Sequence, residues 1–405
     1  MLRRQPKFGR EVKLSDNGNQ PIIPLFKPSF DDEEWEALRE PLRAGWVAMG
    51  PKVKELEDRF AAYVGSAHAV ALNSATAGLQ LSLKVSDVEG GEVISPSLTF
   101  AATNHAILYN GATPVFADVE EDTLNIDPAS IERMVSPKTR AIVVVHYGGH
   151  ACDMDAVMAI AKAHGLKVIE DAAHACGTEY KGRKIGTISP LTSFSFHAIK
   201  NMTTGDGGMV TCEDPELDRR FRVLRQFGLS SDAWSRKASE EKYDWYIEAE
   251  ELGYKHNMND IAATIGIVQL RKLDRTNDQR RALVEYYNER FAGAEWITTP
   301  VEKPYTRSAR HNYVIRVPAA DRDEMIVYLR QHGVSAGLHY VPNHLYKMYQ
   351  GCRADVAVTD RVWREMITLP LFADMTFEQV DRVVETALDF RAMRTSRVAA
   401  KAGNS

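Results

Sequence analysis

Short apolar segments alternate with helical segments between residues 69 and 200, and this alternation constrains the fold more than any other feature. Strands are predicted at residues 69–72, 92–95, 114–117, 141–146 and 167–171, with helices between them. Strands separated by helices form βαβ units, which build parallel sheets covered by helices on both faces. The sequence therefore predicts an α/β fold around a large, mainly parallel sheet.

The carboxyl ends of parallel strands share one edge of a sheet, and α/β proteins bind their ligands at that edge. Four side chains of different chemistry are predicted to lie there, namely those of Ser74, Phe100, Asp171 and Lys200. Their shared location predicts a binding site at the carboxyl edge of the sheet.

Lys200 and Asp171 are the two most informative of these residues. Lys200 lies between a strand-like run and the glycine-rich turn 205–208, where backbone can approach a ligand closely. An amine and a carboxylate at two strand ends suit pyridoxal phosphate (PLP), which needs a lysine for its aldehyde and an acid for its pyridine nitrogen. Singly, each has a simpler interpretation, because lysines are usually solvated and an aspartate after a strand often caps a helix.

A hydroxyl-rich turn joins the first predicted strand to the next helix. It contains Ser74, Ala75 and Thr76. Free backbone N–H groups and the positive end of the helix dipole meet at such a turn, which suits a phosphate group. Ser74 and Thr76 are equally typical of ordinary helix caps.

Four motifs, in this order, resemble the DegT/DnrJ/EryC1/StrS family of PLP-dependent sugar aminotransferases. They are residues 73–79, 170–175, 195–201 and 252–260. The resemblance extends over residues 22–390 and is more specific than any single motif. It implies an aspartate-aminotransferase-like fold (PLP fold type I), with a large sheet domain and a smaller C-terminal α+β domain.

The resemblance also implies roles for individual residues. Lys200 and Asp171 are expected to be catalytic, and His339 and Met49 to contact the substrate. The expected cofactor contacts are Ser74, Ala75, Thr76, Phe100, Asp171, His174, Ser195, Lys200 and Asn257. In the family Asn257 would reach the cofactor phosphate of the neighbouring subunit, which implies a homodimer with shared sites. By residue type alone, Phe100 is also typical of a core aromatic and His174 of a structural histidine.

The function that the resemblance implies is transfer of an amino group from L-glutamate to a nucleotide-linked 3-keto or 4-keto deoxysugar. The product would enter a bacterial surface glycan or lipopolysaccharide O-antigen. Relatives that dehydrate sugars carry histidine in place of the lysine, so Lys200 argues against dehydration. A non-nucleotide ketosugar, a cyclitol, or a non-catalytic role as a PLP-fold sensor or scaffold are alternatives.

The chain is expected to divide into four parts. These are an N-terminal arm (1–21), a large PLP-binding domain (22–277), a small C-terminal domain (278–390) and a flexible tail (391–405). Residues 230–251 are polar and aromatic and are predicted to be an insertion or a lid over the site.

Two separate helices are predicted at the expected domain boundary. One is apolar and covers residues 261–273, and a second, long helix begins near Asp278. The apolar helix would lie in or near a subunit interface.

Composition excludes several other classes of protein. The 405 residues carry a net charge of −5, which provides no basic field for nucleic acid or an anionic membrane. The four cysteines are widely spaced, so neither a zinc site nor a disulfide framework is indicated. No apolar run is long enough to span a bilayer, and the basic N-terminus is not a signal peptide. We therefore expect a cytoplasmic enzyme without metal, nucleic-acid or membrane partners.

Overall fold

The computed structural model describes residues 21–230 and 247–402, with side chains through residue 394. The predicted arm therefore lies outside the described residues except for Pro21. The predicted lid at residues 230–251 is described only at its two ends.

A seven-stranded sheet forms the centre of the described chain. Its strands are β1 (His68–Leu72), β2 (Glu92–Pro96), β3 (Thr113–Ala117), β4 (Thr139–Val145), β5 (Lys167–Asp171), β8 (Leu191–Ser195) and β9 (Gly208–Cys212). In space the order is β1, β9, β8, β5, β4, β2, β3, and β9 is antiparallel to both of its neighbours. The remaining neighbours in this order pair in parallel, which confirms the predicted α/β fold.

Helices cover both faces of this sheet. They are α3 (Pro51–Val64), α4 (Ala75–Val85), α5 (Ala101–Tyr109), α6 (Pro128–Met134), α7 (Met154–His164) and α8 (Pro215–Leu224). Before them in the chain, α1 (Asp32–Ala37) and α2 (Arg39–Ala44) pack against the long helix Asp260–Phe291. Alternate strand residues belong to different buried clusters, for example Ile94 and Val93. Because side chains alternate along a strand, both faces of the sheet are buried.

The helix starts follow from local sequence. Ser74, Asp127, Asp153 and Asp214 each accept a hydrogen bond from a backbone N–H in the first turn of the helix that follows. Proline begins three of the helices, α3, α6 and α8, where its missing N–H has no intrahelical partner to lose.

Helix α9 (Asp260–Phe291) runs without interruption for 32 residues. The prediction of two separate helices is therefore wrong, and the expected domain boundary at residue 277 lies inside α9. Asn277 is buried here, accepts a hydrogen bond from Asn201 Nδ2 (2.7 Å) and donates one to the Cys176 carbonyl (3.0 Å). These contacts bury Asn277 within a polar stretch whose Asp274 and Asp278 side chains stay exposed.

A second buried cluster surrounds the carboxyl half of α9. It includes Ile23, Tyr287, Tyr313 and Ile367. The elements there are β11 (Tyr313–Arg316), α10 (Ala319–Gln331), α11 (Ala357–Val362), β12 (Met366–Leu369) and α12 (Phe377–Ala402), with β11 antiparallel to β12. A separate small sheet consists of β6 (Glu179–Tyr180), β7 (Arg183–Lys184) and β10 (Thr306–Arg307). The backbone is helical through residue 402, where a flexible tail was expected from residue 391.

Side chains complete the hydrogen bonds of β1, which is an edge strand. Glu57 accepts a hydrogen bond from the Ala71 N–H (3.0 Å), and Arg225 donates one to the Ala71 carbonyl (2.9 Å). Arg222 donates to the Ala69 carbonyl (3.2 Å). Glu57 is 2% exposed and forms ion pairs with both arginines. These charged side chains thereby bind backbone groups at the sheet edge that could otherwise pair with a strand of another chain.

The four cysteines are free thiols, and only Cys352 is partly exposed. Among the described helices, none is long and apolar enough to cross a membrane. Within the same parts of the chain, no group of three or more His, Cys, Asp or Glu side chains is arranged to hold a metal ion.

Candidate active site

A cavity of about 410 Å³ lies at the carboxyl edge of the sheet. The structure brings together around it nearly all of the side chains that the sequence analysis singled out. The predicted residues that line it are Ser74, Ala75, Thr76, Phe100, Asp171, His174, Ser195, Lys200 and His339. Except for His339, they lie at or just after the carboxyl ends of four strands of the sheet, β1, β2, β5 and β8.

Lys200 lies in the loop between β8 and β9. Its backbone N–H donates to the His197 carbonyl (2.9 Å), which turns the chain after the strand. Burial lowers the pKa of the Lys200 amine to about 8, against the opposing influence of the Asp171 charge. A buried amine with such a pKa has a substantial neutral fraction near pH 7, and the neutral form is the nucleophile and base.

Asp171 ends β5 and is 4% exposed. Its Oδ2 accepts a hydrogen bond from Thr103 Oγ1 (2.7 Å), and its Oδ1 accepts one from the Ala173 N–H (3.1 Å). Burial raises the pKa of the Asp171 carboxyl, and these two donors and the Lys200 charge oppose that rise. Thr103 was not identified in the sequence analysis, because a threonine inside a helix belongs to no motif.

The N-terminus of α4 borders the cavity. The Ser74 hydroxyl accepts a hydrogen bond from the Ala77 N–H (3.1 Å), so Ser74 is the helix cap. A Cβ on Gly208 would lie 2.5 Å from the Ser74 carbonyl carbon and 2.6 Å from the Ala75 nitrogen. Only glycine therefore allows β9 to approach this helix end so closely.

The His174 ring is hydrogen-bonded to the hydroxyl of Tyr340, a residue that also lines the cavity. The Gly148 N–H donates to His174 Nδ1 (3.3 Å), and His174 Nε2 lies 3.0 Å from Tyr340 Oη. Burial lowers the pKa of His174 well below its usual value, so the ring is neutral. With Nδ1 as acceptor, the network assigns the ring hydrogen to Nε2, which donates to Tyr340. The sequence signal for Tyr340 was its place beside His339.

His339 reaches the cavity from the C-terminal part of the chain. Its Nδ1 lies 3.0 Å from Thr368 Oγ1 of β12, and its carbonyl accepts a hydrogen bond from the Tyr147 hydroxyl. Burial lowers the pKa of His339 to about 4. Next to it, the buried His311 ring lies 4.4 Å from that of His174, a contact that the sequence analysis missed.

Met49, which the resemblance predicts beside the substrate, does not line the cavity of its own chain. Met49 is 8% exposed and packs in the main core, next to a second cavity lined by Arg222 and Arg225. The Trp46 indole donates to the Met49 carbonyl (3.1 Å), and the Asp260 N–H donates to the Ala48 carbonyl (3.0 Å). These bonds fix the turn so that Met49 points into the core.

Asn257 does not line the cavity of its own chain either. It pairs with Leu72 at the end of β1, and its Nδ2 donates to the Met258 carbonyl (3.3 Å). Its buried Oδ1 has no hydrogen-bond partner among the described residues.

The residues around the cavity fit PLP. Lys200 would supply an amine for the aldehyde, and Asp171 would supply an acceptor for the ring nitrogen. The N-terminus of α4 and the Ser195 hydroxyl would supply groups that bind a phosphate. Phe100, 60% exposed at the cavity, offers an aromatic face to a pyridine ring.

This fold and this site define a PLP-dependent enzyme of fold type I. The model of the DegT/DnrJ/EryC1/StrS aminotransferase family matches residues 28–388, and the chain belongs to this family. It is therefore a PLP-dependent aminotransferase, which confirms the resemblance, the fold class and the cofactor predicted from the sequence.

Relatives match over nearly the whole chain. The spore coat polysaccharide biosynthesis protein SpsC of Bacillus subtilis is 43% identical over 378 residues, which are 91% of this chain and 97% of SpsC. The putative sugar aminotransferase Spr1654 from Streptococcus pneumoniae, solved in its PMP form, has a TM-score of 0.84 at 34% identity and covers 91% of this chain and 98% of its own. DesV from S. venezuelae has a TM-score of 0.82 at 34% identity, covering 92% of this chain and 99% of its own.

Proposed function

We propose that this protein transfers the amino group of L-glutamate to C3 or C4 of a nucleotide-linked keto-deoxysugar. The observation that carries the proposal is a buried amine, Lys200, in one cavity with the buried acceptor Asp171. Solved structures that share the fold are named as sugar aminotransferases, which supports a sugar as the acceptor.

Bound PLP supplies an electron sink for the negative charge that develops at the reacting substrate carbon. With PLP bound, Lys200 would carry the proton from that carbon to the cofactor carbon C4′, and in the opposite direction when the acceptor is aminated, because burial lowers the pKa of its amine to about 8. Asp171 pairs with the ring nitrogen, and burial of both side chains keeps water from competing for these contacts. His174 directs its hydrogen to Tyr340, so the Tyr340 hydroxyl has its own hydrogen available for a ligand oxygen.

The lining of the cavity suits a polyol. His197, His339 and Tyr340 offer hydrogen-bonding groups, and Phe100 offers an aromatic face. Among the described residues that line the cavity, Lys200 is the one lysine and there is no arginine, whereas Asp171 and Asp206 are acidic. The phosphates of a nucleotide and the carboxylates of glutamate require more positive charge than the described lining of this cavity provides.

We infer that a second copy of the chain completes the site in a homodimer, with Asn257 reaching the cofactor phosphate of the partner. The unpartnered Asn257 Oδ1 supports this role. We also propose that the enzyme is cytoplasmic and acts in the synthesis of a surface glycan or lipopolysaccharide. SpsC, a spore coat polysaccharide biosynthesis protein, supports a surface glycan.

The test follows the visible absorbance of the PLP-loaded protein through two half-reactions. L-glutamate should bleach the band, and one member of a panel of nucleotide-linked 3-keto and 4-keto deoxysugars should restore it. Lys200→Ala should show neither change, whereas Lys181→Ala, at an exposed lysine paired with Asp155, should show both. Restoration only by a free ketosugar or a cyclitol would contradict the nucleotide-linked acceptor. No response to glutamate would contradict the donor.

A further inference from the structure

Two threonine hydroxyls lead from the start of α5 to the Asp171 carboxylate. Thr103 Oγ1 lies 2.7 Å from Asp171 Oδ2, and Thr99 Oγ1 lies 2.8 Å from Thr103 Oγ1. Thr99 is 2% exposed and Thr103 is 1% exposed. Because bulk water does not reach these groups, their hydrogen bonds are not exchanged for bonds to solvent.

The position of the Thr103 hydroxyl is not the usual one for a threonine in a helix. Such a hydroxyl normally donates to the carbonyl four residues earlier, which here belongs to Thr99. That carbonyl instead accepts a hydrogen bond from Asn343 Nδ2 (2.8 Å). The Thr103 hydroxyl therefore serves the carboxylate of β5 rather than its own helix.

The number of hydroxyl hydrogens determines which group donates and which accepts in this series of hydrogen bonds. A carboxylate can only accept, so an anionic Asp171 takes the single hydroxyl hydrogen of Thr103. Thr103 must then accept from Thr99, and both hydroxyl hydrogens have acceptors. If Asp171 is protonated at Oδ2, it donates to Thr103 and Thr103 donates to Thr99. The Thr99 hydroxyl hydrogen then no longer has Thr103 as its acceptor. Within the described parts of the chain, Thr103 is the side-chain hydrogen-bond partner of the Thr99 hydroxyl.

We propose that Thr103, supported by Thr99, is a positioning residue that holds Asp171 as an anion able to pair with the ring nitrogen of PLP. The proposal rests on the cofactor and not on the proposed sugar substrate. Lys200, His146 and Tyr340 are the titratable groups whose charge acts on Asp171. The His146 ring is fixed by Glu170 (2.8 Å) and by the Cys152 N–H (3.1 Å), so the ring donates nothing to the Asp171 carboxylate.

The test uses the apoprotein. Infrared difference spectra against Asp171→Asn report the protonated carboxyl of Asp171 as a function of pH, and quenching of protein fluorescence reports the affinity for PLP. Thr103→Val removes the hydroxyl at constant shape, Thr103→Ser keeps it, and Thr99→Val removes the outer hydroxyl. Thr264→Val is the control, because within the described parts of the chain this buried hydroxyl bonds only to the Asp260 carbonyl of its own helix (2.7 Å).

Thr103→Val should raise the titration midpoint of Asp171 by about one pH unit and weaken PLP binding roughly tenfold, because it removes a hydrogen bond to a charged group. Thr99→Val should shift the midpoint in the same direction by less, and Thr103→Ser and Thr264→Val should leave it in place. If Thr103→Val does not fold, the Thr99→Val shift decides. An unchanged midpoint in both variants overturns the proposal, as does weaker PLP binding without any shift, since that would be a purely structural effect.

Discussion

At the scale of single residues, burial shifts the pKa values of two neighbouring groups in the active site in opposite directions. Burial favours the neutral amine of Lys200 and the neutral acid of Asp171, while their mutual attraction favours both charged forms. For Lys200 the burial effect is the larger, which leaves its pKa at about 8. At pH 7 about a tenth of the amine is then neutral, far more than for an ordinary lysine.

The Lys200 amine of the apoprotein should titrate far below an ordinary lysine. Competitive labelling with an amine reagent, followed by peptide mass spectrometry, should give Lys200 a midpoint at about pH 8. The exposed Lys181 in the same sample serves as the internal reference, at or above about 10.4. Equal midpoints for the two lysines would contradict the buried environment of Lys200.

Asp171→Asn should lower that midpoint further. The carboxylate raises the pKa of Lys200, so its removal leaves burial unopposed. The same variant should bind PLP at least about tenfold more weakly, because a charge-assisted hydrogen bond to the ring nitrogen is lost. The same labelling experiment measures the shift, and an upward or absent shift would show that the two side chains do not interact.

Whether a site residue can be predicted from the sequence depends on how far away its contact partner lies along the chain. Lys200 and Asp171 follow strands whose apolar patterns are local, so their shared edge could be predicted. Thr103 and Tyr340 could not be assigned, because their partners Asp171 and His174 lie 68 and 166 residues away in the chain. Such contacts exist only after the sheet and the C-terminal segment have come together.

At the scale of elements, the close approach of β9 to the N-terminus of α4 shapes the phosphate end of the cavity. Gly208→Ala should force these two elements apart, since its Cβ would lie 2.5 Å from backbone of Ser74. We expect PLP affinity to fall by about tenfold or more, because the free N–H groups of a helix end bind phosphate only at close range. Titration of the apoprotein with PLP measures this, and unchanged affinity would remove the helix end from the phosphate site.

The ionic edge of β1 should be a major source of stability. Glu57→Ala leaves Arg225, 5% exposed, without its partner, and removing one member of a buried pair costs about 3–5 kcal/mol. On the same helix, Asp58→Ala breaks an exposed pair with Lys54 and should cost about 0.5 kcal/mol or less. Denaturant unfolding measures both. Similar losses in the two variants would mean that Glu57 does not compensate Arg225.

The elements themselves were largely predictable where the pattern is local, and less so where distant contacts decide. The βαβ alternation gave most of the sheet, but β9 was missed because it follows the irregular loop that carries Lys200. The break expected before Asp278 was wrong because Asn277 is buried against Cys176 and Asn201, which come from a different part of the fold.

At the scale of the whole molecule, buried neutral histidines should make the apoprotein sensitive to mild acid. Burial lowers the pKa of His150 and His339 to about 4, and that of His174 and His311 well below the usual value. Below pH 6.5 the unfolded chain binds protons that the native state does not, so stability falls as pH falls. Each of these histidines should lower the free energy of unfolding by about 1.4 kcal/mol when the pH falls from 7.5 to 5.5.

Denaturant unfolding at these two pH values measures the loss, and His150→Gln, outside the cavity, should reduce it by one histidine's share. Asp171 acts with the opposite sign, since its pKa is raised from 3.8 and the native state keeps its proton longer as pH rises. Stability that is equal at both pH values would show that these histidines are protonated in the native state.

A shared site predicts complementation between two inactive variants. In a mixed dimer of Lys200→Ala and Asn257→Ala chains, one site combines both defects and the other has intact Lys200 and intact Asn257. Mixing equal amounts of the variants under conditions of subunit exchange makes about half of the dimers mixed, so tight PLP binding should return at about a quarter of all sites. If mixing restores nothing, each chain uses its own Asn257.

The most direct test of the central claim locates the lysine that bonds the cofactor. The PLP-loaded protein is reduced with borohydride, digested, and analysed by peptide mass spectrometry. Lys200, the buried amine beside Asp171, should carry the pyridoxyl group, and added L-glutamate should release the cofactor from it before reduction. A pyridoxyl group on a different lysine, or none on Lys200, would contradict the assignment of this cavity as the active site.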